Sequence, residues 1–175
     1  MSNNIKMIVS GGGTGGHYFP AQVIKKALQD KGVEVKYMGS RFGVEATNLS
    51  EKNNNVLLLN IRGLQRHWSF DSIVKNILFP FRFLYSYYQS LKFINEFKPH
   101  VVIGTGGYSS GLPLLVAVHQ GIKTVIQEQN SYPGITTRYL MQRVNKICIA
   151  YKEVAIHLKK KILFSPETPL ERILK

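Results

Sequence analysis

His17 is the residue of this chain best suited to chemistry. It follows a run of glycines and closes the stretch Ser10-Gly-Gly-Gly-Thr-Gly-Gly-His17. The unperturbed pKa of imidazole lies near neutrality, so a histidine at the mouth of a glycine loop can act as general base toward a hydroxyl. The loop lies between an apolar run, Ile5–Ser10, and a helical pattern over Ala21–Lys31. Strand, glycine turn and helix together aim free backbone N–H groups and the positive end of a helix dipole at one point, which suits a phosphate or diphosphate.

A second glycine loop, Gly104-Thr-Gly-Gly-Tyr-Ser-Ser-Gly111, follows another apolar run and supplies further N–H donors and hydroxyls. Two such cradles facing one cleft fit a ligand that carries both a diphosphate and sugar hydroxyls. Glu128-Gln129-Asn130 ends a third apolar run, and its side chains can bond sugar hydroxyls or the loop's own backbone. Gly11-x-Gly13-x-x-Gly16 also matches the dinucleotide fingerprint. The NAD version needs an acidic residue at the end of the second strand, and here that strand ends Gly39-Ser-Arg41. Arg41 could meet a 2′-phosphate instead, so an NADP-binding reductase stands as an alternative, as does a non-catalytic diphosphate- or lipid-binding module.

The elements that must position these residues alternate. Strands are predicted at Ile5–Ser10, Val33–Gly39, Val56–Ile61, Val101–Ile103, Thr124–Ile126 and Ile147–Ala150. Helices are predicted at Ala21–Lys31, Glu45–Glu51, Phe70–Phe97 with a break at Pro80, Pro113–His119 and Ile135–Val144. This is an α/β pattern, a Rossmann-like parallel sheet with helices on both faces. Both glycine loops and Glu128–Asn130 then fall on the C-terminal edge of the sheet, where such folds bind ligands.

Composition narrows the partners. The formal net charge is +13 over 175 residues, spread along the chain, and favours anionic partners. Cys148 is the only cysteine, which excludes an internal disulfide and fits a reducing cytoplasm. No apolar stretch is long enough to cross a membrane. No metal-ligand spacing is present, no cofactor is implied, and no nucleic-acid motif accompanies the charge. The stretch Trp68–Lys92 is different in kind: Phe79, Phe81, Phe83 and three tyrosines lie among Lys75, Arg82 and Lys92, with Ser69 or Asp71 available to cap a helix. Aromatics beside cations suit the interface of an anionic membrane.

Three segments together, Gly12–Ala21, Gly104–Gly111 and Ile126–Leu140, resemble the acceptor-side half of the MurG family, the glycosyltransferases that move N-acetylglucosamine from UDP-GlcNAc to lipid I in peptidoglycan synthesis. The resemblance covers about residues 5–151. It implies one half of a GT-B fold, an inverting and metal-independent transfer, and a peripheral site on the cytoplasmic face of the membrane. His17 matches the proposed base. Thr14, Gly15 and Gly16 match the first loop, which contacts the donor and holds the acceptor diphosphate. Gly106, Gly107, Tyr108, Ser110 and Gly111 match the second loop. Asn130, next to Glu128, matches the asparagine on the donor sugar, and Phe79, Phe81, Arg82 and Phe83 fall where the family has its membrane patch. Leu112 intervenes where the family reads Ser-Gly-Pro, and Arg172 stands in an altered version of the family's donor-contacting stretch. The division implied is an acceptor domain at 1–155 and a tail at 156–175 leading toward a donor domain that these residues do not include.

Overall fold

The computed structural model describes residues 5–49, 54–63, 77–158 and 162–164. The strands are β1 (Lys6–Ser10), β2 (Glu34–Ser40), β3 (Val56–Leu59), β4 (Val101–Gly104), β5 (Lys123–Glu128), β6 (Lys146–Ile149) and β7 (Ile162–Phe164). Among the described residues they form one parallel sheet of order β3-β2-β1-β4-β5-β6-β7. The helices are α1 (Gly15–Asp30), α2 (Val44–Asn48), α3 (Phe79–Phe97), α4 (Gly107–His119) and α5 (Ile135–Leu140), with a 3₁₀ turn at Lys152–His157.

Alternation along the strands divides the core in two. Met7, Val9, Val35, Tyr37, Ile103, Val125 and Cys148 point to the face covered by α1. Ile8, Met38, Val102, Ile126 and Ile147 point to the other face, with residues of α3, α4 and α5. With both faces covered, the strands read as near-continuous apolar runs rather than as alternating ones. Burial among these residues pushes the Cys148 thiol up to about 11, which makes it a packing residue.

The strand order reverses between β1 and β4. This is the switch point at which the loops leaving two neighbouring strands diverge and leave a crevice. Here those loops are the two glycine loops.

The structure departs from the sequence expectations in three places. The first is the start of α1 and α4. The sequence pattern starts one helix at Ala21, just after Pro20, and the other at Pro113, but α1 begins at Gly15 and α4 at Gly107, with both prolines inside them. An internal proline leaves the carbonyl four residues earlier without its N–H partner. Both carbonyls find side-chain donors: Gln129 Nε2 donates to Gly16 O at 3.0 Å, and Ser10 Oγ to Ser109 O at 3.3 Å. The second is Pro80, expected to break a long helix. It lies in the first turn of α3, where its missing N–H has no partner to lose. The remainder of the expected helix, with Trp68, Ser69 and Asp71, lies outside the described residues. The third is β7, which carries the sheet past residue 155 to Phe164.

Candidate functional site

The site is built around His17, in the first turn of α1. Thr105, just past β4, holds it twice. The hydroxyl of Thr105 donates to His17 O at 2.7 Å, and Thr105 O lies 3.0 Å from His17 Nδ1. A carbonyl carries no proton, so in the tautomer protonated at Nδ1 the second contact is a hydrogen bond and the lone pair lies on Nε2, the atom a general base uses. In the other tautomer Nδ1 accepts from Nε2 of Gln129, beyond β5, which also donates to the carbonyl freed by Pro20. Three strand ends thus converge on one imidazole.

The second glycine loop passes under that ring. Gly106 and Gly107 have φ of 96° and 75°. A Cβ on Gly106 would lie 2.7 Å from His17 Nδ1, and one on Gly107 2.4 Å from Gly12 O. Any other residue at either position would be strained and would push the two loops apart. Tyr108 packs its ring against Gly13 and Gly63.

Neither α1 nor α4 has a side-chain cap or an acidic residue in its first turn. The two helix starts therefore bring uncapped N–H groups to opposite sides of the crevice. Thr14, the N-cap of α1, and Gly16 are exposed above it, with Gly15 half-buried between them.

One part of the first loop does not behave as its glycines suggest. Gly13 N–H is not open to a ligand. It donates to Glu45 Oε1 and Oε2 at 3.1 and 2.9 Å, and Ser40 N–H donates to Oε1 at 2.8 Å. Glu45 is fully buried. An internal carboxylate thus takes up the N–H of the second fingerprint glycine, where the backbone approaches the pyrophosphate in a Rossmann turn, and this counts against the NADP reading. Burial first, and then the charge of Glu45, hold the pKa of the Tyr37 phenol above its ordinary value and keep it protonated; its hydroxyl donates to Gly11 O. Arg41 directs its Nε to Leu58 O at 3.0 Å.

The sequence-derived residues divide into groups. His17, Gly106, Gly107, Tyr108, Gly111 and Glu128 line one cleft. Thr14, Gly15, Gly16 and Asn130 are not among its lining residues. Ser110 turns inward: it is fully buried and donates to Gly107 O at 3.2 Å. Glu128 is 2% exposed, and its carboxylate is taken by Asn130 N and Nδ2, Gly134 N and Thr137 Oγ1 at 2.6–3.1 Å. It holds Asn130 and the 130–137 loop in place. Phe81 is 70% exposed, whereas Phe79 and Phe83 pack against the core and line the cleft. The exposed face of α3 is Phe81, Leu84, Tyr85 and Tyr88, preceded by Ile77 and Leu78, with Arg82 half-buried beside it. Among the described residues no helix is long and apolar enough to cross a membrane. Arg172 lies outside the described residues.

Sequence reasoning missed four residues here: Thr105, Gln129, Glu45 and Arg62. Arg62 lines the cleft just beyond β3, its guanidinium stacked 3.6 Å from the Phe42 ring centroid. A cation past a strand on the ligand-binding edge was the available signal for it. Thr105 and Gln129 stood within motifs already singled out.

Residues 7–149 match the Glycosyltransferase family 28 N-terminal domain. A Flavobacterium psychrophilum protein named UDP-N-acetylglucosamine–N-acetylmuramyl-(pentapeptide) pyrophosphoryl-undecaprenol N-acetylglucosamine transferase is 40% identical, over 97% of this chain and 46% of its own length. The Bacillus subtilis protein of the same name is 38% identical, over 92% and 44%. The crystal structure of Acinetobacter baumannii MurG superposes with a TM-score of 0.76 at 26% identity, covering 92% of this chain and 45% of that one. Arabidopsis thaliana UGT89C1 with UDP-L-rhamnose, at 12% identity and a TM-score of 0.58, shares the fold. The chain spans about half the length of the curated relatives it matches.

Proposed function

Because the chain belongs to glycosyltransferase family 28 through that family's N-terminal domain, we propose that it forms the acceptor-binding half of an inverting transferase that moves N-acetylglucosamine from UDP-GlcNAc to lipid I, giving lipid II. The activity for which its relatives are named supports this substrate pair. His17 carries the mechanism. Its Nδ1 is held by Thr105 O, so Nε2 is the position for the acceptor hydroxyl. As that hydroxyl attacks the anomeric carbon, Nε2 takes its proton and UDP departs with the bonding pair. The uncapped starts of α1 and α4 face the phosphates, and a diphosphate there replaces missing side-chain caps. On the first loop, Thr14, Gly15 and Gly16 remain for this contact, since Gly13 is held by Glu45. Asn130, fixed by Glu128 and exposed, is the contact for the donor sugar. The uridine is bound by a second domain. The exposed face of α3 rests on the anionic cytoplasmic surface of the membrane, where the lipid-linked acceptor resides.

The test is His17→Ala in the two-domain protein. kcat is expected to fall by about 10²-fold or more, the scale of a lost general base. KM for UDP-GlcNAc should change little. A kcat within twofold of the parent would remove His17 from proton transfer.

A further inference from the structure

The cleft beside His17 is much larger and more apolar than proton transfer requires. It has a volume of about 600 Å³, in the range of pockets that hold small molecules. Its lining joins His17, Gly106 and Gly107 to an apolar wall of Ile61, Phe79, Phe83, Leu112, Leu115 and Leu140, with Thr136 and Thr137 among its few polar side chains. A sugar or a peptide would need several polar groups converging on it. This wall offers aliphatic and aromatic carbon instead. A ligand that fills the cleft must therefore be apolar along most of its length and anionic at the end near the glycine loops.

We propose that the cleft binds the isoprene units nearest the diphosphate of a polyprenyl diphosphate, so that the apolar chain of the acceptor begins inside the protein rather than at the membrane surface. This rests on the lipid-linked acceptor reading above, whose chemistry is the one named for the relatives, a pyrophosphoryl-undecaprenol. Two observations support the assignment. The first is charge: Arg62 reaches the cleft lining, and its Nε is buried without a hydrogen-bond partner among the described residues. A buried guanidinium donor at the edge of an apolar cleft is suited to a phosphate oxygen. The second is continuity. α3 presents Phe79 and Phe83 to the cleft and, around the same turns, Phe81, Leu84, Tyr85 and Tyr88 to solvent. A chain leaving the cleft past α3 emerges beside the apolar face assigned to the membrane. The cleft takes only a short part of an undecaprenyl chain. It would fix the position of the diphosphate, and through it the sugar hydroxyl, relative to His17.

The test uses the 175-residue chain and calorimetric titration with dimethylallyl, geranyl and farnesyl diphosphates, and with farnesol. Farnesyl diphosphate should bind at least about tenfold tighter than dimethylallyl diphosphate, given the carbon it buries. Leu115→Trp, which fills the cleft, should remove that chain-length gain and leave dimethylallyl diphosphate unchanged. Phe83→Trp is the second variant should the first fail to fold. Val23→Ser, exposed on α1 across the sheet from the cleft, should leave the whole series unchanged. Equal affinity across the three diphosphates would overturn the proposal, as would a gain that survives both tryptophan variants. Failure of every diphosphate with farnesol still bound, and displaced by Leu115→Trp, would uphold the cleft as an isoprenoid site and refute the diphosphate placement. No binding of any of the four would overturn both.

Discussion

At the scale of single residues, the site depends on which polar atoms are already satisfied. Glu45 shows this best. Its carboxylate accepts from Gly13 N and Ser40 N and lies beside Gly12 and Gly43 with no exposure to solvent. It shapes the first loop from beneath, and the loop's outer N–H groups, at Gly15 and Gly16, are left for ligand. Glu45→Gln keeps the volume but turns an NH₂ toward one of two donors, which leaves a buried N–H without an acceptor. The expected loss is about 1–3 kcal/mol of stability, measured by urea unfolding, with weaker diphosphate binding because the loop relaxes. Unchanged stability would mean that the loop keeps its shape without the carboxylate. None of this could be read from the sequence. Glu45 stands five residues past β2 in the first turn of α2, and only the fold brings it to a glycine 32 positions earlier. The place of His17 at the cleft was legible because its own glycine loop carries it past the end of β1, whereas its partners Thr105 and Gln129, 88 and 112 positions away, were not.

At the scale of elements, the strands could be read closely and the helix starts could not. Apolar runs of four to seven residues bounded by glycine and polar residues define strands by composition alone. A helix start is a local contest. Pro20 and Pro113 favour the first turn on their own preference, and the bonds from Gln129 and Ser10 to the freed carbonyls override it. Those bonds connect distant segments and leave no trace in a local pattern. α3 carries a similar lesson about faces. The aromatic cluster was read as one membrane patch, yet helical spacing separates Phe79, Phe83 and Tyr87, which pack on the core, from Phe81, Leu84, Tyr85 and Tyr88, which do not. Replacing Phe81, Leu84 and Tyr88 together by Ser should therefore abolish most co-sedimentation with vesicles containing anionic lipid, at low salt as well as high. Stability should stay within about 0.5 kcal/mol, as for surface changes generally. Vesicle binding equal to that of the parent would place the membrane contact elsewhere on the chain.

At the scale of the whole molecule, the sheet is complete in itself and the reaction is not. Among the described residues, strands β1 to β6 contribute to core clusters on both faces of the parallel sheet, and those clusters draw on α1, α3, α4 and α5. The 175-residue chain should accordingly fold cooperatively. A sugar transfer needs more than a base and an acceptor site. It needs the donor's anomeric carbon held within about 3–3.5 Å of the attacking oxygen, and that positioning supplies much of the rate. In the function proposed, the groups assigned here would reach the acceptor hydroxyl, its diphosphate and one side of the donor sugar, and the uridine contacts would come from a second domain; the curated relatives are about twice this length. The 175-residue chain is therefore expected to bind UDP-GlcNAc far more weakly than the two-domain protein, and to release no UDP above background when given a lipid I analogue. Supplying a donor domain in trans should restore a small part of the activity, because the second binding event has lost the effective concentration that a covalent linker provides. The measurement is UDP release by the purified chain with and without that domain. Turnover of about 1 s⁻¹ or more from the chain alone, an ordinary enzymatic rate, would show that these residues bind and activate the donor unaided, and the assignment of this sheet to the acceptor side would fall.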